Sequence, residues 1–326
     1  MNVNSLDEAS TLFVEKVLNG RNQEIVFLSL SSGFSITDIY NDAVRKNPRL
    51  LLCIESLSGA ITGWIGGYQY TINVKYTDVY PDFVSIAEDE VQVKKVLLKS
   101  ATAHRKKEYF VCKSSYVDMV LATVRSIVSY PEYLNCYISG VQSSILKRNE
   151  ANYVGIIVLL SYSCDYRTAQ RRKLELDRIT ESIAAGARAH GPEDWKKAYA
   201  VMLYCVKNWK YSFDDGSGRA FTAYGAIVEN KAVCMGFSLA LCTIFKKLGI
   251  PCKYICGQRN GEGHAWNMVY IKGGWFYIDI TDAIGARDPL YHWGITTFDD
   301  GRVIGTNHGQ KLACYCDRQF VLKHFK

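Results

Sequence analysis

Ala232-Val-Cys234-Met-Gly-Phe237-Ser-Leu-Ala-Leu241, then Leu248-Gly-Ile-Pro251, then His264-Ala-Trp-Asn267, then Trp275-Phe-Tyr-Ile-Asp279-Ile-Thr281: on this run the reading of the chain turns. It supplies a thiol, an imidazole and a carboxylate in that order, each on a different predicted element. A cysteine nucleophile, its base and the group that orients the base are usually supplied in this way. From Cys234 onward, Phe237, Leu241, Ile244, Phe245 and Leu248 recur at helical spacing and form an amphipathic stripe. Lys246 and Lys247 suit the last turn, Gly249 suits the left-handed residue beyond it, and Pro251 bars continuation. The helix therefore starts at or just before Cys234. A thiol in a first turn faces free backbone N–H groups and the positive end of the helix dipole, and both favour the thiolate. The backbone N–H of Cys234 is the expected oxyanion donor, and Gly236 is expected to keep a side chain away from the sulfur. Taken alone, Cys234 reads as a small buried hydrophobe. Cys53, Cys112, Cys136, Cys164, Cys205 and Cys242 are read so.

His264 opens a predicted strand on which His264, Trp266, Met268 and Tyr270 share a face. The next strand groups Trp275, Tyr277 and Asp279. A two-residue turn at Gly273-Gly274 leaves Asp279 four positions from His264, roughly 13 Å at strand rise. A turn centred on Ile271-Lys272, or a bulge, brings the two opposite. The sequence leaves this register open. The polar, glycine-rich run Asn260-Gly-Glu-Gly before His264 suits an approachable site.

Taken together, Ala-Val-Cys-Met-Gly-Phe, Leu-Gly-Ile-Pro, His-Ala-Trp-Asn and Trp-Phe-Tyr-Ile-Asp-Ile-Thr resemble the core of the transglutaminase-like superfamily, most closely its bacterial branch, over about residues 195–285. The resemblance implies an α+β fold whose C-terminal part is a papain-like core, with a cysteine helix against an antiparallel sheet. It implies a Cys234–His264–Asp279 triad and places Tyr224 close to the active site as an oxyanion-hole candidate. Trp266, Asn267 and Trp275 are the substrate-binding candidates. The chain departs from the pattern at Met235, where relatives often carry a polar residue such as Gln, and at Asp282-Ala283, which replaces a common Trp-Asp. Both departures bear on substrate preference. The implied chemistry is acyl transfer from a protein or peptide amide through a thioester, without cofactor or metal. Water is the favoured acceptor, giving protease or deamidase activity, because the loop before His264 is open and no calcium loop of the Asp-x-Asp-x-Asp-Gly type is present. Transfer of glutamine to an amine, a peptide-N-glycanase-like amidase and a non-catalytic interaction module on the same fold are the alternatives.

Outside this core the chain is less telling. Its 326 residues suggest two domains, and 48% apolar with 22% charged composition marks a globular chain. The basic runs at 94–107 and 167–173 carry little aromatic interleaving, so they read as solvated helix faces and not as a nucleic-acid surface. Eleven cysteines at irregular spacing argue against a disulfide framework and for a reducing compartment. No signal-peptide pattern opens the sequence and no stretch is long enough to span a bilayer. As written the chain is expected to be cytoplasmic, or secreted if a signal peptide has been removed. A four-thiolate zinc site from Cys252, Cys256, Cys314 and Cys316 is a minor alternative, because these pairs sit on strand-like segments.

The N-terminal part reads as two copies of one pattern. Strand 24–30, helix 36–44 ending before Pro48, strand Leu50–Ile54 and the alternating strand Tyr68–Tyr76 are followed by strand 108–112, helix 117–128 ending before Pro131, strand Leu134–Ile138 and strand Val154–Tyr162. Pro48 and Pro131 lie 83 apart, and Tyr76/Tyr80 and Tyr162/Tyr166 lie 86 apart. The tyrosines of 68–76 are expected to form a packed face. Residues 1–166 are thus expected to form an α+β domain of two repeats, and 167–326 the transglutaminase-like domain.

Overall fold

The computed structural model describes residues 2–30, 33–127, 137–213, 216–259, 261–284, 286, 293–295 and 303–304. The architecture is α+β. The described residues fall into two compact units: 2–127 with 140–161, and 137–139 with those from 162 onward.

In the first unit one succession of elements occurs twice. It begins with β1 (Asn2–Val3), α1 (Leu6–Gly20), β2 (Glu24–Ser29), α2 (Ile36–Lys46), the single turn α3 (Leu50–Cys53), β3 (Ile54–Trp64) and β4 (Gly67–Tyr76). It recurs as β5 (Val84–Ile86), α4 (Glu90–Thr102), β6 (Lys107–Lys113), α5 (Val117–Ser126), β7 (Ile138–Arg148) and β8 (Tyr153–Tyr162). The strand orders β1-β2-β4-β3 and β5-β6-β8-β7 correspond position by position. The alternation of β4 buries Tyr70, Ile72 and Val74. Tyr70 lies between the rings of Phe27 (4.9 Å) and Phe34 (5.0 Å), and its hydroxyl donates to the Phe34 carbonyl at 3.0 Å. The aromatic face is therefore core.

Leu50–Ile54, expected as a strand, is a helical turn at Leu50–Cys53. Leu50, Leu51, Leu52 and Cys53 are all buried. A strand turns alternate residues to opposite faces, whereas one turn enclosed by neighbours buries consecutive ones. Pro48 opens this turn, its carbonyl accepting the Leu51 N–H at 3.1 Å. Of the expected strand Leu134–Ile138, residues 134–136 lie outside the described residues, and Ile138 opens β7.

The second unit carries the candidate site. Its elements are α6 (Tyr166–Arg188), α7 (Asp194–Asn208), β9 (Lys210–Tyr211), α8 (Ala223–Ile227), β10 (Lys231–Ala232), α9 (Cys234–Leu248), β11 (Cys252–Arg259), β12 (Glu262–Ile271), β13 (Gly274–Ile278), α10 (Ile280–Ala283), β14 (Trp293–Ile295) and β15 (Val303–Ile304). The last five strands make one antiparallel sheet in the order β14-β13-β12-β11-β15. Helix α9 packs on β11 and β12. Phe237, Leu239, Ala240, Leu241, Ile244 and Phe245 are all buried, so α9 is apolar on most of its circumference and is the central helix. Trp209 stacks on Phe237 at 5.4 Å and 4°. Gly249, with φ 72, ends the helix in the left-handed conformation. Among the described residues no helix is long and apolar enough to cross a membrane.

Candidate active site

The segment entering α9 is held by its backbone. β10 pairs in parallel with β9, with Ala232 opposite Tyr211, and the Ser212 N–H donates to the Ala232 carbonyl at 3.0 Å. The Val233 N–H donates to the Ala220 carbonyl at 3.1 Å. Val233 is the N-cap, and Cys234 is the first residue of the helix. The N–H of a first helical residue has no acceptor within its own helix. A Cβ on Gly236 would lie 2.3 Å from the Ala220 carbonyl oxygen and 3.0 Å from that of Thr222. Glycine at this position thus lets the 220–222 segment close on the first turn.

The register that the sequence leaves open is set by Lys272 (φ 50) and Gly273 (φ 85), both left-handed, as a two-residue hairpin turn between the paired residues Ile271 and Gly274. That turn lies one residue before the glycine pair. With Asn267 opposite Ile278, the next position puts Asp279 across from Trp266, two residues from His264 on the same face. Such diagonal neighbours stand roughly 7–8 Å apart, within reach of two side chains. The His264 Nε2 and Asp279 Oδ2 are 2.7 Å apart. The other carboxylate oxygen accepts the N–H of Thr281 at 3.0 Å and that of Asp282 at 3.4 Å, capping α10. Asp279 is fully buried and both of its oxygens are engaged. Nε2 being committed to Asp279, Nδ1 is the ring nitrogen left to act on Cys234, whose thiol the imidazole lowers.

Burial alone would push the Cys234 thiol up. Against it act the hydrogen bond with His264, the Ala265 N–H, the imidazolium charge and the Met235 N–H, and together they hold the thiol below its ordinary value. Burial would likewise depress the His264 imidazolium. The hydrogen bonds to Asp279 and Cys234 and the charges of both raise it to about 9. The arrangement therefore eases transfer of the thiol proton to the imidazole, with the carboxylate behind it.

The other candidates take different places. The Trp266 ring is buried and stacks on His264 at 5.8 Å and 25°, so it supports the imidazole from within the core. Asn267 is buried on the opposite face of β12. Its amide donates to the Ser238 carbonyl at 2.9 Å and lies 3.3 Å from Cys242 Sγ and 3.5 Å from Cys252 Sγ, tying the sheet to α9. Trp275 sits opposite Tyr270, at the turn end of the hairpin. That is six residues of β12 from His264, roughly 20 Å, and Lys253 Nζ lies over the ring at 4.4 Å. None of the three presents a surface to the thiol. Tyr224 is buried, and its hydroxyl donates to Glu175 of α6 at 2.7 Å. Burial and the acceptor carboxylate push the phenol up to about 12. The structure thus gives that hydroxyl to Glu175 rather than to the thiol.

His264, Asp279 and Asp282 bring ligand-type atoms within 4.8 Å of one another. Asp279 is already spent on His264 and the α10 cap, and Asp282 pairs with the Arg259 guanidinium. A cation there would have to displace both interactions. Cys252 and Cys256, four positions apart on β11, are separated by roughly 13 Å at strand rise and cannot share one ion. Cys314 and Cys316 lie outside the described residues. The Arg259–Asp282 pair was not among the sequence-derived candidates. Its one signal was Asp282 standing where the motif usually has Trp.

Residues 178–280 match the sequence model of the transglutaminase-like superfamily. The segment that carries the thiol, imidazole and carboxylate is thus a transglutaminase-like core. No curated protein matches the chain. Among solved structures, a TGase is similar at 14% identity, covering 90% of this chain and 82% of its own, with a TM-score of 0.33. A candidate cysteine protease from Cytophaga hutchinsonii is similar at 16% identity over 44% of this chain, with a TM-score of 0.29. The match spans 65% of the Cytophaga protein, just under two thirds of its length. A candidate protease from Parabacteroides distasonis is similar at 9% identity, covering 70% of this chain and 48% of its own, with a TM-score of 0.25.

Proposed function

We propose that this protein is a cysteine-dependent acyl-transfer enzyme acting on protein or peptide amides, with Cys234 as nucleophile, His264 as acid–base and Asp279 as the orienter of His264. The observation that carries this reading is the His264 imidazole 2.7 Å from the fully buried Asp279 carboxylate, with Cys234 as the first residue of α9 and its thiol lowered by that imidazole. The thiolate attacks the amide carbonyl and forms a tetrahedral intermediate. The oxyanion is met by the Cys234 N–H at the start of α9. His264 passes its proton to the leaving nitrogen, the C–N bond breaks and a thioester remains. His264, now neutral, takes a proton from the acceptor as it attacks the thioester, and the thiolate leaves. Asp279 holds the ring so that Nδ1 faces sulfur throughout.

Water is the favoured acceptor. Gly261, Glu262 and Gly263, next to His264, are exposed. The two tryptophans that could have walled a dry amine channel lie elsewhere, Trp266 beneath the imidazole and Trp275 at the far end of the hairpin. A transferase must exclude water from its thioester. The test is incubation of the protein with a mixed protein substrate, with and without a labelled primary amine, followed by mass spectrometry. Deamidated glutamines or new peptide termini that disappear in Cys234→Ala are expected. Amine incorporation exceeding both would overturn the choice of water, and no reaction on any substrate would favour a binding module.

A further inference from the structure

We infer that the exposed rings of Tyr211 and Phe213 form a shelf for an aryl or large aliphatic side chain of the substrate, next to the carbonyl that Cys234 attacks. This rests on the reading of Cys234 as nucleophile, and it names the substrate class that reading leaves open. Tyr211 pairs with Ala232, two residues before the thiol, and its ring centroid lies 6.2 Å from that of Phe237, in the first turn of α9. It is close enough to the sulfur that the thiolate charge, after burial, helps to raise its phenol. Phe213 meets the Tyr211 ring edge-on at 5.7 Å and 90°. Tyr211 is 44% exposed and Phe213 is 82% exposed. A single open aromatic on a surface needs no explanation. Here two touch each other on the segment that pairs with the residues leading into Cys234. A third, Phe221, 45% exposed, lies next to Ala220, whose carbonyl holds Val233. The two segments flanking the entry to α9 therefore both carry open rings.

The chemistry of the occupant follows from the surface. Phenyl faces bind apolar and aromatic groups through burial, and edge-to-face packing adds to it. A substrate carbonyl must come to bonding distance of the sulfur, so the groups that meet a shelf next to it are the flanking side chains of the same substrate. Binding at such a remote group is the usual means by which an enzyme holds the reacting bond in place. An apolar residue next to the scissile or deamidated amide is thus the feature selected.

The test uses the full chain and two reagents with the same warhead, iodoacetamide and N-phenyl iodoacetamide. Second-order rates at Cys234 are read by peptide mass spectrometry and normalised to each reagent's rate with free glutathione. The normalised preference of the wild-type protein for the phenyl reagent is expected to be about tenfold, the scale of partly burying one ring. It should fall to within about twofold of unity in Phe213→Ala, stay partly in Phe213→Leu, and be untouched by Phe83→Ser at an exposed ring of the other unit. Alkylation of Cys234 without phenyl preference, or a preference that survives Phe213→Ala, would overturn the shelf and leave the nucleophile standing. A Cys234 inert to both reagents would overturn the nucleophile and the shelf with it.

Discussion

Replacing Asp279 by Asn removes one charge and keeps the shape. The amide oxygen of Asn can still accept the Thr281 and Asp282 N–H groups, so α10 stays capped. The amide nitrogen then faces His264 Nε2, where a carboxylate oxygen stood 2.7 Å away. A donor there needs a lone pair on Nε2, which forces the proton onto Nδ1, the nitrogen that faces sulfur. The imidazolium also loses its counter-charge. His264 is raised from 6.5 to about 9, and that difference is worth about 3 kcal/mol in favour of the charged form. Burial opposes it, so the attractive part is larger still, with Asp279 its leading source and Cys234 the other. Without Asp279, Cys234 alone opposes burial and the imidazolium is less favoured. The thiol then loses the imidazolium that holds it down. The assay is the alkylation rate of Cys234 by iodoacetamide as a function of pH, read by peptide mass spectrometry. In Asp279→Asn the profile should move toward alkaline pH, and the rate at pH 6.5 should drop by about tenfold or more. Superimposable profiles for the two proteins would refute the reasoning.

Three further outcomes are expected. The raised imidazole stabilises the fold fully below its ordinary value near 6.5 and loses that contribution as pH rises through about 9. Thermal melts of the wild type should therefore fall across pH 6.5–9 more steeply than those of Asp279→Asn, and parallel curves would contradict this. Tyr224→Phe should lower stability by about 1 kcal/mol through loss of the Glu175 hydrogen bond. Its hydrolysis of p-nitrophenyl acetate should stay within about twofold of wild type, whereas loss of an oxyanion donor costs about a hundredfold. A fragment of residues 1–166 should melt cooperatively, since both four-stranded sheets of the first unit close within it. A broad transition would count against an independent domain.

What the sequence disclosed follows the strength of its periodic signals. The limits of α9 were legible because an apolar stripe is closed by Lys246-Lys247-Gly249-Pro251, and Gly249 does take the left-handed cap. The pairing of His264 with Asp279 was not, because a shift of one residue in a Lys-Gly-Gly turn moves Asp279 by two positions along β12, and only the positive φ of Lys272 decides it. β3 carries a long exposed run with serine, glycine and threonine, and β7 buries only its first residue, Ile138, so neither shows the alternation that marks a strand. The apolar run Leu50–Cys53 was ambiguous for the opposite reason, since four consecutive buried residues fit a strand or a turn equally. Asn267 and Trp266 looked like site residues because they adjoin His264 in sequence. The pleat of β12 sends one into the sheet–helix interface and keeps the other under the imidazole. Tyr211 and Phe213 stand in the run Tyr-Ser-Phe-Asp-Asp-Gly-Ser-Gly, whose composition reads as a polar loop and so conceals the two rings.

The central claim is that one thiol of eleven is activated by His264 and Asp279. It is tested most directly by treating the folded protein with sub-stoichiometric iodoacetamide at pH 6.5 and quantifying carboxamidomethylation at every cysteine. Cys53, Cys112 and Cys205 are pushed up by burial and should stay unmodified. Cys256 is exposed and is not one of the three proposed catalytic residues, and serves as the internal control for accessibility. The account predicts that Cys234 carries most of the label, well ahead of Cys256, and that His264→Ala abolishes this preference. Equal labelling of Cys234 and Cys256, or preferential labelling of any other cysteine, would contradict it.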